Sequence, residues 1–159
     1  MIKVKRIDHV AIAVGDQNAA AARLQGLFGL ADECREHVAG QQTDVVFLGC
    51  TPAETPTTSA AGATSIELCA PATLPGEPAG AGTGNPGLRR FLDKRGPGLH
   101  HVCFEVEDLD GALASLKAAG VPLIDEVPRA GARGHRVAFL HPAATGGVLF
   151  ELCAAGHSS

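Results

Sequence analysis

The chain carries the same pattern twice, and no other feature narrows its fold as much. Ile7-Asp8-His9-Val10-Ala11-Ile12-Ala13-Val14-Gly15-Asp16 has a counterpart in Leu99-His100-His101-Val102-Cys103-Phe104-Glu105-Val106-Glu107-Asp108. His9 falls on His101, Val14 on Val106 and Asp16 on Asp108, an offset of 92 (101 minus 9). Val45 and Phe47 fall on Val137 and Phe139 at the same offset. Ile66-Glu67-Leu68-Cys69-Ala70 then falls on Phe150-Glu151-Leu152-Cys153-Ala154 at 84 (151 minus 67), so the first half carries eight extra residues, within 51–63. An offset that holds through the elements and breaks in a Thr/Pro/Ala-rich stretch marks a duplicated unit with an insertion in a loop. Each half places one histidine on its first strand and one glutamate on its last.

The hydrophobic pattern predicts the same element order in both halves. Residues 6–14 alternate, with Val10, Ile12 and Val14 on one face and His9, Ala11 and Ala13 on the other, where small side chains leave room for a cavity. Asp16 is expected to cap a helix whose buried stripe is Ala20, Leu24, Leu27 and Phe28, with Gly29 ending it. Strands are predicted at 31–38, 43–49 and 64–70. Residues 71–87, with Pro71, Pro75, Pro78 and Pro86, read as a connection, and Asn85-Pro86 opens a short helix with Leu88, Phe91 and Leu92 on one face, ended by Gly96-Pro97-Gly98. In the second half a strand is predicted at 99–106, a helix at 109–119 burying Leu109, Ala112, Leu113 and Leu116, and strands at 122–127, 135–140 and 147–153. Residues 128–134 and 141–147 read as loops, the first cationic and able to meet an anionic ligand. The expected class is α+β: two tandem βαβββ modules, 1–71 and 98–159, joined by a linker with a short helix at 72–97, in one compact domain.

A chain of 159 residues, 45% of them apolar, can fill one core without covalent staples. Its five cysteines (Cys34, Cys50, Cys69, Cys103 and Cys153) are odd in number and form no CxxC, as expected of reduced core residues in a cytoplasmic protein. The N-terminus lacks the apolar run and cleavage site of a secretory signal, and no stretch approaches ~18 apolar residues, so no membrane association is expected. With 13 Lys and Arg against 17 Asp and Glu, and no Tyr or Trp for base stacking, nucleic acid is not an expected partner.

His9, Glu67, His101 and Glu151 form an N2O2 donor set suited to a divalent first-row ion, imidazole accepting Zn, Co, Ni or Fe(II) and carboxylate adding Mn. Any one of them alone reads more readily as a satisfied core histidine or a strand-end charge. The four together point to a shared ion, because a glutamate between Ile66 and Leu68, or between Phe150 and Leu152, faces away from the packed side and needs a partner. Register favours His101 over His100, since adjacent strand residues face opposite ways; His100 is expected to back its neighbour or to face a helix. His141, before Pro142, belongs to a turn, whether at a cavity mouth or as a simple cap. His37, His135 and His157 have no counterpart in the repeat. Arg129, Arg133 and Arg136 offer phosphate contacts, though solvated loop charges are the commoner case.

Two βαβββ modules with an early histidine and a late glutamate in each resemble the vicinal-oxygen-chelate superfamily, which includes glyoxalase I. Within it, Ile7-Asp8-His9-Val10-Ala11, Gly98-Leu99-His100-His101-Val102, Phe139-Leu140-His141-Pro142 and Thr145-Gly146-Gly147-Val148-Leu149-Phe150-Glu151-Leu152 are similar to the methylmalonyl-CoA epimerase family. The resemblance implies a mixed sheet curled into a cup around one divalent ion (Co2+, Mn2+, Zn2+ or Ni2+), with His9, Glu67, His101 and Glu151 as ligands. The position of Glu67 can be Gln in that family. It further implies a homodimer that acts on an acyl-CoA or similar thioester, moving a proton at the α carbon with a base on each face. One base is Glu151; the other is a glutamate at the position that Val45 holds here, which leaves the adjacent Asp44 as the candidate second base, provided that a bulge in 39–44, which Gly40 allows, turns it into the cavity. The same ligands would serve a glyoxalase-like lyase, and a non-catalytic resistance-type binding protein would not need all four. An extradiol dioxygenase would call for a tyrosine that this chain lacks.

Overall fold

The computed structural model describes residues 2–49, 63–78 and 81–155. The element order is β1 (Val4–Ala13), α1 (Gln17–Phe28), β2 (Ala31–Val38), β3 (Thr43–Gly49), β4 (Ser65–Pro71), α2 (Pro86–Arg95), β5 (Gly98–Val106), α3 (Leu109–Ala118), β6 (Arg129–Ala130), β7 (His135–Leu140) and β8 (Leu149–Ala155). The eight strands form one sheet in the order β2-β3-β4-β1-β5-β8-β7-β6. β1 and β5, the two copies of the repeated strand, lie antiparallel at its centre, each flanked by the last strand of its own half in parallel. The duplication thus becomes an approximate twofold axis between β1 and β5.

Period-two alternation assigns the faces. On the outer face Val46, Leu48, Leu68 and Ala70 pack against Ala21 and Leu24 of α1, while Val106, Ala138, Leu140 and Leu152 pack against Leu109 and Leu113 of α3. Each helix begins where the repeat placed it. The Asp16 carboxylate accepts from the Ala19 N–H and that of Asp108 from the Gly111 N–H, caps of about 1 kcal/mol each. Gly29 ends α1 in the left-handed conformation, φ 68°. The inner face carries Ala11, Val45, Phe47, Cys69, Cys103, Val137 and Cys153, with Leu88 of α2 laid over its first half. Asn85 caps α2 through Leu88 N–H and donates to Thr43 Oγ1, which ties the connection to β3.

Several expectations need correction. Leu27 and Phe28 are exposed (68% and 69%), because α1 stays on the sheet only as far as Leu24. No strand forms at 122–127. Pro122 and Pro128 bracket that segment without N–H groups to pair, and Phe139 O takes both Ile124 N and Asp125 N, so only the Leu123 bridge and the two-residue β6 meet β7. β8 begins at Leu149, after Gly146 and Gly147, both at positive φ. The insertion at 51–63, Cys50 and His157 lie wholly or almost wholly outside the described residues. No helix among the described residues is long and apolar enough to cross a membrane.

Candidate functional site

The register across β1 and β5 sets Ala11 opposite His101 and Cys103 opposite His9, so the two histidines are diagonal neighbours on the inner face. β4 adds Glu67 beside Ala11, and β8 adds Glu151 beside Cys103. All four side chains are buried and they converge. His9 Nε2 lies 3.3 Å from His101 Nε2, Glu67 Oε2 is 3.5 Å from both, and Glu151 Oε2 is 3.3 Å from His101 Nε2. Donors on one ion with bonds of about 2.0–2.2 Å stand roughly 3.0–3.5 Å apart, so His9, Glu67 and His101 are spaced to share a single small cation, with Glu151 beside them on the His101 side. Glu67 Oε2 is buried with no hydrogen-bond partner, an acceptor aimed at a point where only protein nitrogens and another carboxylate stand.

Each histidine is oriented by the residue before it, through a bulge. Ile7 pairs with Phe104 and His9 with Cys103, leaving Asp8 as the extra residue of β1; Ala11 pairs with His101 and Ile12 with Leu99, leaving His100 as the extra residue of β5. A bulge turns the extra side chain toward its neighbour's face. His9 Nδ1 accordingly donates to Asp8 Oδ2 at 2.8 Å, and His101 Nδ1 lies 2.9 Å from His100 Nδ1. In both cases Nε2 is left with its lone pair toward the other donors. Burial, and then the charge of His101, lower His100 to about 4, so it stands neutral as the acceptor. Asp8, fully buried, is also paired with Arg6 and Arg133; burial alone would raise its pKa, but the His9 hydrogen bond and these charges hold it well below the carboxylate range. Neither Asp8 nor the bulge at His100 was legible in the alternation; the repeated placement of one polar residue before each histidine was the available signal.

Electrostatics separate the two carboxylates. Burial raises Glu67 above its ordinary value, with the two histidines only partly opposing it. Glu151 is buried too, yet the His101 hydrogen bond and the charge of both imidazoles outweigh burial and hold it low. Burial likewise works against protonation of His9, but the Asp8 hydrogen bond and the glutamates raise it.

These groups line a cavity of about 790 Å3 walled by Val45, Phe47, Val137 and Phe139, the size of a small-molecule site. The phenyl rings meet the histidines edge-on, Phe47 against His9 at 5.4 Å and Phe139 against His101 at 5.1 Å between centroids. Asp44 does not join them. It shares the outer face with Val46 and lies 2.7 Å from His37 Nδ1, with β2 and β3 in unbroken register from Cys34 to Thr43. His141 Nδ1 accepts from Ala143 N–H and caps the turn. His135 lines the cavity wall, and together with Cys103 it draws the Cys153 thiol below its ordinary value. Arg133 is no solvated loop charge: its guanidinium stacks on Phe47 at 4.0 Å and reaches Asp8, while Arg129 and Arg136 pair with Asp125 and Asp110.

Residues 8–139 match the Glyoxalase/Bleomycin resistance protein/Dioxygenase superfamily. The chain is 34% identical to the ethylmalonyl-CoA/methylmalonyl-CoA epimerase of Cereibacter sphaeroides, over 94% of its own length and 97% of that protein's. It is 33% identical to the mitochondrial methylmalonyl-CoA epimerase of Homo sapiens, over 92% and 72%. A Streptomyces coelicolor methylmalonyl-CoA epimerase variant in complex with 2-nitronate-propionyl-CoA superimposes with a TM-score of 0.76 at 29% identity, covering 96% of this chain and 99% of that one. The chain therefore belongs to the glyoxalase/bleomycin resistance protein/dioxygenase superfamily, as an enzyme among the relatives of the methylmalonyl-CoA epimerases.

Proposed function

We propose that this chain epimerises a thioester of the methylmalonyl-CoA type, with one divalent ion held by His9, Glu67, His101 and Glu151. The observation that carries this is the pair of glutamates, which the duplication sets on opposite sides of the point where the four donors converge. Bound there, Co2+, Zn2+, Mn2+ or Ni2+ would supply Lewis-acid stabilisation of the charge that grows on the thioester oxygen as the α proton leaves. Glu151, held ionised by His101, takes the α proton on one face. On the other face the resemblance calls for a carboxylate where Val45 stands, and Asp44 points outward. Glu67 takes that role. The family tolerates Gln at its position, and this chain keeps a buried carboxylate there, on the strand that faces the donors from the side opposite Glu151. The bound thioester analogue of the Streptomyces relative supports an acyl-CoA substrate, and the free thiols of Cys34, Cys69, Cys103 and Cys153 suit a reducing cytoplasm.

The test is to incubate the metal-loaded protein with a single epimer of methylmalonyl-CoA in deuterated water. Deuterium should enter the α position as the opposite epimer forms, and Glu151→Gln should slow both by ~10²- to 10⁴-fold. Absence of exchange with every one of the four ions would end the proposal.

A further inference from the structure

Eight of the 13 Lys and Arg residues are held in ion pairs within the described structure; Lys3, Arg23, Arg90, Lys94 and Arg95 are not. Three of these five, Arg90, Lys94 and Arg95, stand on one side of α2, and all three line the mouth of the cavity. Arg90 and Lys94 are four residues apart and so share a stripe; Arg95 continues the stripe of Phe91, its guanidinium 5.7 Å from that ring. Among the described residues the carboxylates lining this cavity are Glu67 and Glu151, both buried, and Asp93 of α2 is taken by Arg89, so the cations at the rim have no recorded ion-pair partner. The chain as a whole is net −4. Three exposed cations with no ion pair among the described residues are therefore a local excess at the mouth of the cavity.

A second observation concerns the rest of the mouth. Leu99, Ile124 and Val148 line it and are exposed (72%, 50% and 46%), an apolar strip left in water. Phe91 of α2 meets the His100 ring at 5.0 Å, and His100 meets His101 at 5.2 Å, so the cationic helix is two ring contacts from the donor set. A ligand with its acyl end at the donors, a long neutral arm and a phosphorylated end would meet, in that order, the floor, the apolar strip and the cations.

We infer that Arg90, Lys94 and Arg95 form the subsite for the phosphates of coenzyme A, and so select a nucleotide-bearing thioester over one carried by a short arm alone. This rests on the acyl-thioester site proposed above. Each contact is a charge-assisted hydrogen bond on a solvated rim, moderate singly and sensitive to salt.

The experiment compares wild type with Arg90→Gln/Lys94→Gln/Arg95→Gln on methylmalonyl-CoA and on the methylmalonyl thioester of pantetheine, which lacks phosphate. The ratio of kcat/KM for the CoA thioester to that for the pantetheine thioester should fall about tenfold in the triple variant. It should be largely restored in Arg90→Lys/Lys94→Arg/Arg95→Lys, which keeps the charges, and raised salt should lower it in wild type and in this variant but not in the triple Gln variant. An unchanged ratio overturns the inference, as does an equal loss on both thioesters. Calorimetric titration with adenosine 3′,5′-bisphosphate separates this from failure of the epimerase proposal. Should wild type turn over neither thioester, binding of that nucleotide by wild type and its loss in the triple variant would still uphold the subsite, and no binding by wild type would remove it.

Discussion

Asp8 and His100 occupy equivalent positions in the duplication, and each stands in a bulge one residue before a donor histidine. They differ in what they offer. Asp8 is an anion that accepts from His9 Nδ1–H, whereas neutral His100 offers a lone pair to His101. His101→Ala should therefore abolish 1:1 metal binding, while His100→Ala should keep the stoichiometry and weaken affinity by about 10- to 100-fold, as losing an orienting partner does. Elemental analysis and a competitive chelator titration on both variants read this directly, and retained metal in His101→Ala would refute the donor assignment. Glu67→Gln should still hold the ion through its amide oxygen, yet let α-hydrogen exchange outrun epimerisation. Val45→Glu added to that variant should restore epimerisation, since Val45 points inward beside Cys69 in the strand next to Glu67; failure of the double variant to recover it would exclude the Val45 position as a route to that face. The four donors were legible in the sequence because a duplication marks equivalent positions whatever their backbone detail. Asp8 was not, because period two assigns it to the outer face and only the register shift brings it inward.

The same contrast recurs for whole elements. Strands and helices with clean periodicity and a capping residue form where the pattern sets them, as α1 between Asp16 and Gly29 and α3 after Asp108 do. The segment 122–134 departs from its counterpart in the first half, because its prolines remove donors and its glycines permit turns that a propensity argument cannot place. Its last part crosses to the first half of the molecule: Arg133 N–H donates to Glu36 at 2.8 Å, and its side chain lies over Phe47 and reaches Asp8. Arg133 itself sits at φ 56°, a left-handed conformation with a cost for a non-glycine residue, so these contacts hold the strap in place. Arg133→Ala should destabilise the protein by about 1–3 kcal/mol in urea unfolding, through loss of the cation–π contact and of one of two guanidinium partners of a buried carboxylate. Amide exchange should rise at 131–134 and little in β7. A uniform rise across the sheet would mean that the strap is part of the core and not a clasp on it.

At the scale of the molecule, the two halves are joined through β1 and β5 and through whatever occupies the four donors between them. Without an ion, two imidazoles and two carboxylates face one another, and a proton on His9 is the charge that holds them. Burial opposes that proton, but the hydrogen bond to Asp8 and the charges of Glu67 and Glu151 raise the His9 pKa nonetheless. A raised folded-state pKa contributes stability that is fully present below the unfolded value of about 6.5 and is lost as pH rises through the folded value. Metal binding has the opposite sign, because Nε2 must first give up its proton. Metal-loaded and chelator-treated protein should therefore differ little in Tm below about pH 6 and diverge as pH climbs past 6.5 and through the His9 value. At free metal of about 100 times Kd the gap should reach about 2.7 kcal/mol. For a chain of this length that is a shift of roughly 5–10 °C. A gap that stays constant with pH, or that closes as pH rises, would show that His9 does not exchange its proton for the ion.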